Sequence, residues 1–131
     1  MEATSEARRR IDNAKGFLSN NAKKEDGIYY DKKYVKIAGH TAYTGILLAL
    51  NELLGEKNKK TSRSVEWYQQ ELRSIDKSLL SRFATAYQIL HIDMGYQGAK
   101  SAQLASLGLQ QAEKIIDWVE TRLTKTQLKN Q

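Results

Sequence analysis

The sequence contains no cysteine and no proline. Without cysteine, a disulfide framework, a thiolate metal site and a cysteine nucleophile are excluded. That absence is compatible with a reducing compartment, and a cytoplasmic location is the expectation. Long apolar runs are missing too. The longest stretch free of charge, from Ile37 to Asn51, has 15 residues and includes His40, Thr41 and Thr44. A bilayer crossing takes about 20 predominantly apolar residues, so no transmembrane helix is expected. The start, MEATSEARRRID, is charged and lacks the apolar core of a secretory signal. Motifs that carry chemistry are equally scarce. There is no phosphate-binding glycine loop, no dinucleotide fingerprint, no nucleophile elbow and no His-x-x-x-His or H-E-x-x-H metal spacing. The helical Glu-x-x-His pattern of di-iron bundles is absent as well.

What remains is a chain of 131 residues, 40% hydrophobic and 27% charged, which suits one globular domain over 1–131 with a core of its own. The net charge is +6. It lies mostly in residues 1–63, where 13 Lys/Arg face 8 Asp/Glu (13 − 8 = +5); residues 64–131 hold 8 against 7 (+1). A basic bias suits contact with an anionic partner, and its plainer reading is a solvated surface.

Apolar residues recur at helical spacing and strand alternation is missing, so the expected fold is all-α, an up-and-down bundle of four to five helices. A first helix is expected over 4–24, with Ala7, Ile11, Ala14, Leu18 and Ala22 on one stripe and Gly27 as its stop. The segment KKEDGIYYDKKY then reads as a loop. Asp31 caps a second helix over 32–54, which Gly55 ends. Further helices are expected over 64–73, 77–94 and 99–125. Residues 64–94 as one unbroken helix would reach ~46 Å, against ~35 Å for the second helix. Ser74, Asp76 and Ser78 are cap-forming residues, so the break is expected between 73 and 78. Gly95 and Gly98 stop the fourth helix, and the tail after Lys125 is expected to fray.

The second helix lacks the charged face of a surface helix, so it should be covered on several sides. Ala38, Ala42, Gly45 and Ala49 form a small-residue groove against which the first or last helix can approach closely.

His40 and His91 are the only histidines. If the second and fourth helices are antiparallel neighbours, His40, Tyr43, Tyr87 and His91 fall at one end of the bundle and form a polar pocket. The plainer reading is that each histidine is a core group bonded to a hydroxyl, a carbonyl or a water. His91 stands near a helix C-terminus, which favours its protonated form. Lys57, Lys59, Lys60 and Arg63 form a basic loop suited to an anion, although no aromatic residue is interleaved with them.

Two resemblances attach to these residues. The run KKEDGIYYDKKYVKIAGHTAYTGILLALNELLG, followed by SVEWYQQEL, AYQILHIDMGY and IIDW, resembles a small bacterial family, of the Bacteroidetes, described only as a domain of unknown function. That resemblance implies a helical bundle and brings no activity. The Ala-rich second helix and the stripe AQLASLGLQQAEKIIDWVE are similar, more distantly, to HEPN domains. That resemblance implies RNA binding, ribonuclease activity or association with a nucleotidyltransferase. Its nuclease members place four to six residues between an Arg and a His; here Arg82 and His91 have eight between them, which argues against transferring the activity.

The expectation is therefore a non-enzymatic binding module with no catalytic residue, cofactor or metal, acting as a homodimer or with a protein partner. The alternative is a HEPN-type RNA-binding or RNase protein.

Overall fold

The computed structural model describes residues 2–55 and 63–129, with side chains described between 4 and 126. It is an all-α helical bundle with one very small hairpin. Helix α1 spans Glu2–Gly16 and runs on as a π-helical segment, Phe17–Ala22. Strands β1 (Lys24–Glu25) and β2 (Ile28–Tyr29) pair antiparallel, with Lys24 opposite Tyr29 and Glu25 opposite Ile28. Helices α2 (Lys32–Leu53), α3 (Val65–Arg73) and α4 (Lys77–Ala86) follow. Helix α4 runs on as a second π-helical segment, Tyr87–Tyr96, and α5 spans Ala102–Lys129.

The hairpin corrects the expectation of a plain loop after the first helix. Asp26 and Gly27 both have positive φ, 53° and 79°. Two consecutive left-handed residues make the turn whose twist matches that of a two-residue hairpin, and Asp-Gly is a favoured pair for it. Gly27 is thus a hairpin residue, not the stop of the first helix. That helix ends at Lys23, whose φ of 51° lets its N–H reach the Leu18 carbonyl at 3.2 Å. The hairpin also holds the entry to α5. Tyr29 donates to the Lys100 carbonyl at 2.8 Å, and Ala102 donates to the Gly27 carbonyl at 2.9 Å. With residues 99–100 held there, α5 begins at Ala102 and not at 99. Ser101 Oγ caps it by accepting from Leu104 N at 3.1 Å. At its other end α5 stays helical through Lys129, beyond the expected fraying point.

Elsewhere the caps stand where their chemistry places them. Asp31 accepts from Lys33 N at 3.0 Å, and Gly55 takes a φ of 70°. Ser64 caps α3 through Trp67 N at 3.1 Å. The chain bends between α3 and α4, where Asp76 accepts from Leu79 N at 2.8 Å.

Helix α2 is the bundle's centre. Val35, Ala38, Ala42, Ile46, Ala49 and Leu50 are all 0% exposed. On one side α1 crosses at Gly45, where an added Cβ would stand 3.0 Å from the Ala7 carbonyl oxygen and 3.1 Å from Arg10 Cβ. On another, the π-helical segment 87–96 crosses at Gly39. A Cβ there would meet the Leu90 carbonyl oxygen at 2.4 Å and Gly95 N at 2.8 Å. Helix α5 packs against α1, α2 and α4. From α3, Tyr68 donates its hydroxyl to Asn51 Oδ1 at 2.6 Å.

Candidate functional site

Helix α2 and the π-helical segment bring His40, Tyr43, Tyr87 and His91 together. The spacing Tyr87, His91, Gly95 places three residues four apart on the segment that faces α2. The His91 ring lies along Tyr43 at 4.5 Å between centroids and along Tyr87 at 5.3 Å. Tyr43 and Tyr87 meet at 5.8 Å. The two imidazoles meet edge to face at 5.5 Å. Tyr96 completes the group: its ring stands edge-on to His40 at 5.3 Å and to His91 at 4.9 Å.

The rings pack against one another between the two elements. From Tyr43 and Tyr87 the cluster continues inward through Phe83 to Tyr68 and Trp67. Such offset and edge-to-face contacts each add ~0.5–1.5 kcal/mol beyond area burial.

His40 is half-buried. Among the described residues its imidazole nitrogens make no protein hydrogen bond. Its surroundings are aromatic edges and the Gly95 backbone instead. Gly95 lets His40 approach that backbone closely, since a Cβ there would come within 2.6 Å of His40 Cε1. His91 carries a buried Nδ1 with no hydrogen-bond partner among the described residues. Its pKa lies below the usual imidazole value, first because burial disfavours the charged form and then because His40 stands close. This reverses the expectation from its helix end. The π-helical segment runs past His91 to Tyr96, so the helix terminus is too far away to dominate. Asp93 turns to Gln88 Nε2 at 2.9 Å. Burial raises the Tyr43 hydroxyl pKa, with Tyr87 and Tyr68 adding to the shift. Tyr43 is therefore a neutral hydroxyl at any physiological pH. Among the described residues no group of three or more His, Cys, Asp or Glu side chains could hold a metal ion.

Arg82 does not join His91. It donates to Gln111 Oε1 of α5 at 3.2 Å, whereas His91 faces α2. Of the basic loop, Lys57, Lys59 and Lys60 lie outside the described residues. Arg63 is exposed and stacks its guanidinium over Trp67 at 4.8 Å.

Sequence reasoning left two features out of the site: Tyr96, and the glycines Gly39 and Gly95 that allow the close crossing. The signal was the pairing of Gly39-His40 with Gly95-Tyr96, a glycine beside a ring on each element.

The fold and this cluster define a helical bundle organised around a buried central helix and a histidine–tyrosine cluster. The chain belongs to the family described as Domain of unknown function (DUF5618), whose model matches residues 2–121. Among solved structures it is similar to a protein of unknown function from Dyadobacter fermentans. The two are 48% identical with a TM-score of 0.86, over 93% of this chain and 96% of that one. The search of curated proteins finds no match. No helix among the described residues is long and apolar enough to cross a membrane.

Proposed function

We propose that this protein is a non-enzymatic binding module that works as a homodimer, pairing two copies through the face that carries Tyr96. The observation that carries this reading is Tyr96 itself. Its residue is 62% exposed, yet its ring is held edge-on by two imidazoles. An exposed side chain normally loses rotamer freedom on association, at ~0.5–1.5 kcal/mol. The contacts with His40 and His91 reduce that loss in advance. Rigid aromatics of this kind are enriched at interface centres. A two-fold pairing needs only one such self-complementary patch, and it is the commonest symmetry of soluble oligomers. The net charge of +6 opposes it weakly, because salt screens surface charge within ~8 Å at physiological ionic strength.

Sedimentation equilibrium at micromolar concentration tests the reading. The expected mass is twice the 14.9 kDa of one chain, falling to 14.9 kDa in a Tyr96→Asp variant that keeps its helical circular dichroism. A wild-type mass of 14.9 kDa throughout, or a dimer indifferent to Tyr96→Asp, overturns it.

A further inference from the structure

A second surface, remote in sequence from the histidine cluster, is built for a different ligand. Lys114, Asp117, Trp118, Thr121, Arg122 and Lys125 recur at i, i+3, i+4, i+7, i+8 and i+11, one face of α5 about 16 Å long. With Arg82 from α4 they line a groove of about 500 Å³. Four of the seven lining residues are cations and one is an anion. The anion is already engaged: Arg8 of α1 pairs with Asp117 and, at 2.6 Å, with Glu120. Arg82 spends one N–H on Gln111, which orients a guanidinium that has further donors to give. Arg122 lies over the Trp118 ring at 5.6 Å. Asp76 feels the charge of Arg122, but its carboxylate is held by Ser78 Oγ at 2.5 Å and by Leu79 N. Among the described residues, no salt bridge of 4 Å or less joins Arg82, Lys114, Arg122 or Lys125 to a carboxylate.

We propose that this groove binds a nucleotide, either free or as a unit of single-stranded nucleic acid. Lys114, Lys125 and Arg82 take the phosphate, and the base stacks on the Arg122–Trp118 pair. The argument rests on the combination. Cations alone are met on many solvated helices, but a groove that joins unspent cations to a guanidinium–indole stack offers both parts of a nucleotide its partner. Bases stack readily on aromatic rings and on arginine planes, and positively charged grooves with such platforms track phosphates. The groove volume falls within the range of small-ligand sites. The groove shares no lining residue with the Tyr96 cluster.

Fluorescence of a Trp67→Phe protein, in which Trp118 is the one remaining tryptophan, tests the proposal. The probes are thymidine monophosphate, a short oligothymidylate and inorganic phosphate. Saturable quenching by the monophosphate or the oligothymidylate is expected, and the tighter of the two identifies the source of the nucleotide. A Lys114→Gln/Lys125→Gln variant, altered only at exposed positions, should bind about tenfold more weakly or worse, as loss of charge-assisted bonds implies. A Lys23→Gln/Lys24→Gln variant, with the same charge change outside the groove, should bind as the parent does. No saturable quenching by either nucleotide probe up to ~1 mM overturns the proposal. So does binding by inorganic phosphate as tight as by the nucleotides, or equal weakening in the two lysine variants.

Discussion

Two glycines in α2 that look alike in sequence carry very different loads. Gly39 sits where the Leu90 carbonyl and the Gly95 N–H leave 2.4 and 2.8 Å for a Cβ, and both neighbours are backbone that cannot rotate away. Gly39→Ala is therefore expected to lower stability by upward of about 2 kcal/mol, the larger part of the usual overpacking range. Gly45 leaves 3.0 Å to the Ala7 carbonyl and 3.1 Å to Arg10 Cβ. Ala at 45 gains ~1 kcal/mol of helix propensity over Gly, which offsets the tight contact, so Gly45→Ala should stay within about 1 kcal/mol of the parent by that propensity figure. Gly45→Leu should cost about 1–3 kcal/mol. Urea unfolding of the three variants gives the order; equal midpoints for Gly39→Ala and Gly45→Ala would contradict it. His91 supplies a pH test. Its folded pKa lies below the 6.5 of the free side chain, so the unfolded chain binds more protons near neutrality. Stability is then fully present above about pH 6.5 and is lost as pH falls towards the folded pKa. The urea midpoint should drop from pH 7.5 to pH 5.5, and His91→Phe, which keeps the stack on Tyr43, should flatten that drop. An unchanged slope would remove His91 from the account.

At the scale of elements, short polar residues decide where helices begin. Asp76 separates α3 from α4 by accepting from Leu79 N and Ser78 Oγ, and these two bonds are the leading causes that hold its carboxyl below the usual range. Asp76→Ala should lower the unfolding midpoint and speed amide exchange at residues 77–79. Unchanged exchange there would mean the turn is held by packing alone. The Asp26-Gly27 hairpin works in the same local way, yet its effect is long-range. By holding the start of α5 through Tyr29 and Ala102, it sets where the longest helix begins. The π-helical segment 87–96 is the element that makes the histidine cluster. Its wider turns carry His91 and Gly95 onto α2, and such segments are frequent at functional sites.

For the whole molecule, the question is what covers α2 and what is left over. The first, fifth and π-helical elements bury its faces within one chain, so its lack of charge is met internally. Among the described residues, the large apolar side chains left exposed are Ile28, Tyr30, Tyr96 and Leu107, all outside α2. Among the aromatics, Tyr68 is buried and Trp67 and Trp118 are partly buried. Tyr96 stands out in solvent. The two ends of the chain are tied by ions: Arg8 of α1 grips Asp117 and Glu120 of α5, and Lys15 reaches Glu113 at 3.1 Å. These groups are more than a third exposed, so Arg8→Ala should cost about 0.5–1 kcal/mol, the upper half of the range for surface pairs. The loss should shrink in 1 M salt, where the screening length is ~3 Å. A loss that persists undiminished in salt would assign Arg8 a packing role.

The sequence by itself determined the class of fold, because apolar spacing, caps and stops are local signals that act over a few residues. Asp31, Gly55 and Asp76 are placed by their chemistry alone. It also determined that the second helix is central, since a helix without a charged face has to be covered. The sequence holds the Asp-Gly hairpin signal as well, but strands of two residues are too short to show an alternating pattern. Only the tertiary structure decided what gathers where. The π-helical turns have no short-range signature, and with them came the contact of His91 with Tyr43 and of Tyr96 with both histidines. Burial against α2 then shifts His91 away from the protonated form that a helix end would favour, because desolvation is the larger influence. The difference between Gly39 and Gly45 has the same origin. Both are small residues in one helix, and only the backbone that crosses each of them says which one cannot change.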